Sequence, residues 1–323
     1  MREIICSKNE ENVTLIKVLN KYLPLANNSF LYKMLRKKNI TLNDKKAEGN
    51  EKLKFNDSIK IYFSDETFDK FSGANDKGYI NEYNSLSNLN ISRFKVIYED
   101  DDILAIDKPV NMLSQKAKDT DISANELFLS YLIKTNKLTL DTFKTFHPSV
   151  ANRLDRNTTG VLLFGKTMKG LHYLSSVLKD HSIDKFYVAL CKGCINEKIK
   201  VDTYLIKDEK TNKVQITDNP KNAEHILMDY EPIKFSSDYT LLRIKLLTGK
   251  SHQIRAHLSA IGHPILGDIK YGDKKINDIL RNKFNLNSQL LHANIIDFKS
   301  GNKIVAPIPQ IFDTIIGWEG KNK

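Results

Sequence analysis

Several features on which common protein classes depend are scarce in this 323-residue sequence, beginning with cysteine. The odd set of Cys6, Cys191 and Cys194 argues against a disulfide framework and for a reducing compartment. The spacing Cys191-Lys-Gly-Cys194 matches half of a zinc site or a redox pair, but no second cysteine pair exists. We therefore expect two ordinary thiols near the end of a strand.

Long apolar runs are also missing. No stretch approaches the roughly 20 apolar residues that a membrane-spanning helix needs. The N-terminal residues MREIICSKNEEN lack the extended apolar core of a signal peptide. These absences predict a cytoplasmic protein that has no membrane partner.

Three familiar catalytic motifs do not occur. The 14 glycines form no glycine-rich phosphate loop, and neither a G-x-S-x-G nor an H-E-x-x-H pattern is present. The spacing of His252 and His257 places them roughly 140° apart around a helix, so their side chains point in different directions and do not converge on one metal ion. We expect no nucleotide cofactor, no serine hydrolase site and no metal.

Positive charge, by contrast, is abundant. Lys and Arg number 50 against 39 Asp and Glu, which gives a formal net charge of +11. Such an excess favours a polyanionic partner such as nucleic acid, although a generally lysine-rich composition gives the same balance. A hydrophobic content of 41% suits a globular protein, and the length suggests about two domains.

The first 65 residues predict a small basic domain. Residues 12–23 place apolar side chains at helical spacing, and Ser29 is positioned to cap a second helix before short strands at ITLN and SIKIYF. Cations line one face of the second helix, at Lys33, Arg36 and Lys37, with Lys38 beside them. This face can lie along phosphates or be an ordinary solvated surface, and the residues alone leave both interpretations open.

The remainder divides by composition. Residues 66–92 are rich in Asn, Ser, Asp and Gly without clear periodicity, which predicts a polar linker. From residue 93 to 323, strand-like runs dominate, with helical patterns near 123–134, 168–180 and 251–261. This irregular mixture predicts an α+β domain rather than alternating βαβ units.

The segment LTGKSHQIRAHLSAIGHPILGDIKYG is the most informative in the chain. Thr248-Gly249 marks a turn, Ser251 can cap a helix, and Gly262 can end it. Within that helix, His252 and Arg255 share a face with Ser259, opposite the apolar side chains. We expect the helix to present Arg255 from a rigid, exposed face.

A second segment, ANRLDRNTTG, places Asp155 between Arg153 and Arg156. Nearby arginines favour the ionised carboxylate and attract anionic substrates, as a reactive acid needs. The same pattern fits a structural acid that pairs with one of its neighbours. The residues of this segment alone do not decide between the two interpretations.

The two segments together resemble the RluA-type pseudouridine synthase family. ANRLDRNTTGVLLFGKT resembles the motif R-L-D-x-x-T-[ST]-G-[LV], and the later segment resembles T-G-R-x-H-Q-I-R-x-H followed by G-x-P-I-x-G-D-x-x-Y-G. Weaker matches follow in family order at ILAIDKPVNMLSQ, KFYVALCKG and LLHANIIDF. Residues 12–63 resemble the alpha-L RNA-binding domain. Asn152 stands where the family often has His, and Lys250 replaces an arginine.

The resemblance implies an α+β catalytic domain with a mixed or antiparallel sheet over 93–323, preceded by an alpha-L domain over 1–65. It implies an isomerase that converts uridine in RNA to pseudouridine without cofactor or metal. Asp155 is then the catalytic carboxylate, Arg255 its partner, and Tyr187 the residue against the flipped base, with its hydroxyl a candidate for the proton step at C5. The predicted RNA contacts are Arg153, Arg156, Lys250, His252 and the basic face Lys33, Arg36, Lys37 and Lys38.

The same resemblance suggests a substrate and an alternative function. A domain of the alpha-L type in front favours large-subunit ribosomal RNA as the substrate, with transfer RNA as the second candidate. We expect a monomer. A catalytically silent RNA-binding or ribosome-assembly factor on the same scaffold is the alternative from another class.

Overall fold

The computed structural model describes residues 1–8, 10–72, 76–208, 213–299 and 301–318. These residues form two β-sheets, one of four strands and one of eleven, and each sheet has its own hydrophobic core. Among the helices of this described part, none is long and apolar enough to cross a membrane.

The smaller sheet and its helices form what we call the N-terminal unit. Its elements are β1 (Arg2–Ile5), α1 (Leu15–Tyr22), α2 (Asn28–Arg36), β2 (Ile40–Leu42), β3 (Lys45–Lys46), β4 (Ser58–Ile61) and α3 (Asp65–Ser72). The strands pair antiparallel in the order β1-β4-β2-β3. The apolar stripes of α1 and α2 pack against the sheet, which confirms the two predicted helices.

Two details of α2 differ from expectation or add to it. Asn27, rather than Ser29, is the N-cap, and its side chain accepts a hydrogen bond from the Phe30 amide at 2.8 Å. Lys38 follows the helix with a φ of 59°, so the chain turns away in the left-handed region. Lys33, Arg36, Lys37 and Lys38 are all exposed.

The predicted polar linker over residues 66–92 includes regular secondary structure. These residues contain most of α3 and all of α4 (Asp76–Ser87). Phe68 packs into the N-terminal core, whereas Tyr83 packs against the second core and donates a hydrogen bond to the Leu138 carbonyl at 3.0 Å. The break between the two cores therefore lies after Phe68 and before Tyr83. A few well-spaced apolar residues are enough to stabilise helices in this polar stretch.

The larger sheet mixes both strand directions. Its strands are β5 (Val96–Glu99), β6 (Ile103–Lys108), β7 (Ser149–Val150), β8 (Thr159–Gly165), β9 (Ile183–Lys192), β10 (Ile199–Asp208), β11 (Lys213–Thr217), β12 (Glu224–Phe235), β13 (Tyr239–Leu246), β14 (Leu291–Phe298) and β15 (Lys303–Val305). Nine of them run in the order β11-β10-β12-β13-β9-β14-β8-β6-β5, while β7 pairs with β8 and β15 with β14. Only β8 and β14 pair parallel among these described strands. The sheet confirms the predicted α+β class.

Helices cover both faces of this sheet: α5 (Ala124–Lys134), α6 (Leu140–Thr145), α7 (Met168–Lys179), α8 (Gln253–Ala260), α9 (Lys274–Phe284) and α10 (Ile311–Ile316). The helices predicted near 123–134, 168–180 and 251–261 are α5, α7 and α8. Val161 and Leu162 of β8 point to opposite faces and are both fully buried. Because both faces of its central strands are covered, polar groups can gather only at strand ends and along α8.

Candidate active site

The loop that carries Asp155 is fixed on both sides of that residue. The Ser114 hydroxyl donates to the Leu154 carbonyl at 2.9 Å and accepts from the Leu154 amide at 3.0 Å. On the other side, the Arg156 carbonyl accepts from the Met112 amide at 3.2 Å. The backbone around Asp155 is therefore held in place, as a positioned reactive group requires.

Lys108, at the end of β6, also contacts the loop that carries Asp155. Its fully buried ammonium donates to the carbonyls of Pro109, Met112 and Arg156 at 3.1, 2.8 and 3.0 Å, so all three of its donors are used. Burial lowers the pKa of Lys108 to about 7, and the negative charge of Asp155 opposes part of that shift. Sequence reasoning did not single out this residue, although it lies in the segment ILAIDKPVNMLSQ.

Asn152, whose role the sequence left open, ties the loop to β8. Its side-chain oxygen accepts a hydrogen bond from the Leu163 amide at 2.8 Å. The neighbouring Ala151 amide donates to the Leu163 carbonyl at 2.7 Å. Asn152 thus extends the pairing that β7 makes with β8 and carries the chain directly into the Asp155 loop.

Gly160 explains why the motif ends in glycine. Its φ is +106°, and a Cβ at this position would lie 2.2 Å from the Ala293 carbonyl oxygen. Ala293 of β14 pairs with Gly160 of β8 in the parallel register, so the β14 backbone lies directly against this position. Beside it, the Thr159 hydroxyl bonds to Nδ1 of His292 at 2.8 Å. The strand order β9-β14-β8 then places Tyr187 and the Asp155 loop on either side of β14.

Asp155 has its ionic partner on α8 rather than in its own loop. Nη1 of Arg255 donates to Oδ2 of Asp155 at 2.7 Å. Within the described residues, no ion pair joins Asp155 to Arg153 or Arg156, and both of those arginines are exposed. The interpretation of Asp155 as a structural acid that pairs with one of these neighbours is therefore wrong.

A second carboxylate, Asp268, fixes Arg255. Nε of Arg255 donates to Oδ2 of Asp268 at 2.7 Å, and Nη2 donates to Oδ1 at 2.9 Å. Arg255 is only 7% exposed, so the expectation of an exposed helix face is wrong: its guanidinium lies between two carboxylates. Paired donors of this kind orient a guanidinium in a plane and fix its third nitrogen toward Asp155.

Asp268 lies in the G-D-I-K-Y-G turn, yet sequence reasoning did not select it. It is fully buried, and the amides of Lys270 and Tyr271 donate to its Oδ1 at 2.9 and 3.0 Å. Burial alone raises the pKa of a carboxyl group, but the hydrogen bonds and charge of Arg255 and these amides hold the pKa of Asp268 below its usual value. Asp268 is therefore ionised at neutral pH.

Tyr187 projects from β9 and is 8% exposed. Burial raises the pKa of its hydroxyl well above the usual range, and the charge of Asp155 adds to the shift. The hydroxyl is therefore protonated at neutral pH. Its ring presents a largely apolar surface to the site.

Asp155, Tyr187 and Arg255 all line one cavity of about 820 Å³. Asp155 is the only acidic residue among the lining residues that the structure describes, whereas the cations comprise Lys116, Arg153, Arg156, Lys185, Lys250 and Arg255. Lys250 forms an ion pair with Glu224 at 2.8 Å near the mouth, and His252 also lines the cavity. The cavity thus combines a single held carboxylate with a surface suited to a polyanion.

The other predicted residues lie outside this cavity. Lys33, Arg36, Lys37 and Lys38 belong to the N-terminal unit, and none of them forms an ion pair with another described residue. His257 is buried, with Nε2 facing the Tyr230 hydroxyl at 3.5 Å. The described part of the chain holds no group of three or more His, Cys, Asp or Glu side chains that could bind a metal ion.

Comparison with known proteins identifies the family to which this chain belongs. The model of a family described as RNA pseudouridylate synthase matches residues 102–260. A ribosomal large subunit pseudouridine synthase C from Buchnera aphidicola is 31% identical over 96% of this chain and 95% of its own length. The chain belongs to the RluA-type RNA pseudouridine synthases.

Two further comparisons agree. A tRNA pseudouridine synthase C from Haemophilus ducreyi is 32% identical over 63% of this chain and 84% of its own length. The solved structure of human RNA Pseudouridylate Synthase Domain Containing 4 has the same fold, with a TM-score of 0.56 and 19% identity over 73% of this chain and 95% of its own. As a member of this family, the chain is an isomerase that acts on RNA.

Proposed function

We propose that Asp155, Arg255 and Tyr187 carry out the isomerisation of uridine to pseudouridine. The observation that carries this proposal is the 2.7 Å contact between Asp155 and Arg255 in a basic cavity with Tyr187. A cleft lined by cations attracts the RNA backbone, and one ionised carboxylate inside it can act on the sugar of a flipped nucleotide.

The chemistry requires one glycosidic bond to break and another to form. Asp155 either attacks C1′ as the C1′–N1 bond breaks, or removes the 2′ proton to give a glycal. The uracil then turns, and its C5 bonds to C1′ as the ester bond between Asp155 and C1′ breaks or, in the glycal route, as the proton returns from Asp155 to C2′. C5 then loses its proton and N1 gains one. Nothing is consumed, so we propose no cofactor and no metal.

Arg255 and Tyr187 have different parts in this scheme. Arg255 keeps Asp155 ionised and oriented, because Asp268 fixes its guanidinium. Tyr187 is the surface against which the uracil lies and turns. Its raised pKa argues against its phenolate as the base that removes the C5 proton, so ring contact is the role we assign to it.

We further propose large-subunit ribosomal RNA as the substrate. The Buchnera relative, which covers nearly the whole chain, is named for that substrate, whereas the Haemophilus relative named for tRNA covers less of it. The exposed cations of α2 supply affinity for the RNA backbone, in the manner of an alpha-L domain. Arg153, Arg156, Lys250 and His252 contact RNA at the cavity. We propose a cytoplasmic monomer.

Replacing Asp155 tests the assignment directly. Asp155→Ala should lower the rate of pseudouridine formation by about 10²- to 10⁴-fold while RNA binding persists. Asp119→Ala is the matched control, since Asp119 is exposed and does not line the cavity. Pseudouridine mapping in total RNA from a deletion strain, complemented with each variant, reads out activity and target together. An active Asp155→Ala variant would refute the assignment, and a wild-type protein that binds RNA without modifying it would support the silent-factor alternative.

A further inference from the structure

Tyr271 contacts both of the residues that face Oδ2 of Asp155. Its ring lies 5.2 Å from the Arg255 guanidinium carbon, and its hydroxyl is 2.9 Å from Nδ1 of His252. Nε2 of His252 is in turn 3.8 Å from Oδ2 of Asp155. One aromatic residue from the G-D-I-K-Y-G turn therefore stands behind Arg255 and His252 alike.

The hydroxyl of Tyr271 has a second partner that restricts its hydrogen. The Val214 amide of β11 donates to this oxygen at 2.9 Å. Since the hydroxyl already accepts that bond, its own proton is free for Nδ1 of His252. An Nδ1 that accepts a hydrogen bond leaves the ring proton on Nε2, because a neutral imidazole carries only one.

Burial supports the neutral form of the ring. Burial lowers the pKa of His252, and the charges of Arg255 and Lys270 act in the same direction against the opposing charges of Asp155 and Asp268. A neutral ring with its proton on Nε2 directs an N–H toward Asp155. At 3.8 Å, Nε2 of His252 is farther from Oδ2 of Asp155 than a hydrogen bond allows, so the two groups must move closer on RNA binding for this bond to form.

Both neighbours of Asp155 approach the same oxygen. Arg255 and His252 each face Oδ2, at 2.7 and 3.8 Å, whereas Oδ1 has no hydrogen-bond partner among the described residues. We propose that Tyr271 is a positioning residue that fixes His252 with its proton on Nε2, so that Arg255 and His252 hold Oδ2 and leave Oδ1 to react. The effect on rate rests on the function proposed above, whereas the state of the ring does not.

A purely structural role for Tyr271 involves other atoms. Its amide donates to Asp268 at 3.0 Å, and its carbonyl accepts from the Ser259 hydroxyl at 2.8 Å. Tyr271→Phe keeps these backbone bonds and the ring beneath Arg255. The substitution removes only the hydroxyl, and with it the contacts to His252 and to the Val214 amide.

Nitrogen NMR of histidine-labelled protein tests the proposal without any substrate. The resonances of His252, assigned by their loss in His252→Gln, should report protonated Nε2 and unprotonated Nδ1 in the wild type. In Tyr271→Phe the same ring should become a mixture of the two neutral forms. A wild-type ring protonated on Nδ1, or a ring unchanged by Tyr271→Phe, would overturn the proposal even if the enzyme acted on a different RNA.

Single-turnover kinetics at saturating RNA provide the functional test. Tyr271→Phe should lower the rate about 10-fold with little change in RNA affinity, as expected when the support of a reacting group is lost. In His252→Gln, the amide nitrogen lies close to the position of Nε2, and it is a donor without any partner to fix its protonation. The single-turnover rate of His252→Gln should therefore be higher than that of His252→Ala. In the His252→Gln protein, Tyr271→Phe should have no further effect.

The double variant separates the hydroxyl from general packing. An equal loss on Tyr271→Phe in both backgrounds would mean that the hydroxyl acts through Val214 or through folding, and would refute the proposal. If Tyr271→Phe fails to fold, equal rates for His252→Gln and His252→Ala would refute it as well. A wild-type protein that forms no pseudouridine would instead contradict the proposed function, while the NMR result would stand.

Discussion

The N-terminal unit and the cavity of the larger sheet use charge in opposite ways. The cations of α2 are exposed and form no ion pair with other described residues. In the cavity, Arg255 is buried between Asp155 and Asp268, and Lys108 uses all three of its donors on backbone carbonyls. Exposed charges attract a polyanion over a distance, whereas buried and paired charges fix geometry.

The difference implies a division of labour. Charge on α2 can be moved or exchanged with little effect on folding, because water screens it and no partner depends on its position. Charge around Arg255 cannot be moved, because each buried ion without its partner carries a large desolvation cost. Paired substitutions, one in each region, test this difference.

The largest contrast is expected between Asp268→Asn and Asp44→Asn. Asp268 is fully buried and pairs with Arg255, whereas Asp44 of the N-terminal unit pairs with Lys60 at 2.6 Å while 64% exposed. Asp268→Asn should lower the free energy of unfolding by roughly 3–5 kcal/mol and abolish most activity, because Arg255 keeps its buried charge but loses its support. Asp44→Asn should cost less than about 1 kcal/mol. Urea unfolding of both variants measures the contrast, and equal losses would refute it.

A second contrast concerns two glycines with similar backbone. Gly160 and Gly49 have φ values of +106° and +99°, but an added Cβ meets the Ala293 carbonyl oxygen at 2.2 Å in one case and the Tyr32 ring at 2.9 Å in the other. Left-handed φ costs about 1–2 kcal/mol for alanine, and a backbone clash adds about 1–3 kcal/mol. Gly160→Ala should therefore destabilise by roughly 3 kcal/mol, more than Gly49→Ala, because a ring can rotate and a paired strand cannot.

Gly301→Ala isolates the backbone contribution to that result. Gly301 has a φ of +108°, and among the described residues no atom beyond Gly301 itself and its chain neighbours lies within 4 Å of its added Cβ. Thermal or urea unfolding should rank Gly301→Ala as mildest and Gly160→Ala as most severe. A Gly160→Ala loss no larger than that of Gly301→Ala would mean that β14 moves aside, and the close approach would then not explain the motif.

The same two regions show what sequence can predict. The helices α1, α2, α5, α7 and α8 follow from apolar spacing, which is a local property. The contact of Arg255 with Asp155 spans 100 residues, and no local pattern contains it; family resemblance suggested it instead. Asp268, Lys108 and Tyr271 were missed as site residues because burial of a polar group depends on tertiary neighbours.

Local rules also failed where tertiary contacts prevail. Ser251 was expected to cap α8, but His252 occupies the N-cap with a φ of 55° and no side-chain capping bond. The left-handed backbone at His252 directs its ring toward Asp155. The placement of this side chain in the site therefore takes precedence over a side-chain hydrogen bond that would cap α8. In α4, tertiary packing of Tyr83 and Leu86 outweighs a polar composition that argued for a linker.

A binding measurement extends the comparison to RNA. Replacing Lys33, Arg36, Lys37 and Lys38 with Gln should flatten the plot of log affinity against log salt by up to about 3 in slope, if each cation neutralises one phosphate. The rate at saturating RNA should stay close to that of the wild type, because these residues are outside the cavity. The free energy of unfolding should change little.

The control removes four cations from another helix. Lys274, Lys275, Arg281 and Lys283 of α9 are exposed, and their replacement with Gln gives the same change in net charge. This variant should keep most of the wild-type salt dependence. Equal slopes for the two quadruple variants would show that RNA affinity depends on net charge alone, and would remove the special role of α2.

The smallest contrast is expected between two substitutions of Asn152. Its oxygen is the acceptor for the Leu163 amide at 2.8 Å, and Asn152→Ala leaves that donor, which belongs to a fully buried residue, unpaired at a cost of about 1–2 kcal/mol. Asn152→Asp keeps an acceptor of the same shape and should recover most of that stability, although its charge lies close to Asp155. Urea midpoints that fall equally for the two variants would contradict this assignment. A recovery confined to Asp would show that the loop before Asp155 needs only an acceptor at this position, so that its stability depends on one hydrogen bond to β8 and not on the identity of the amide.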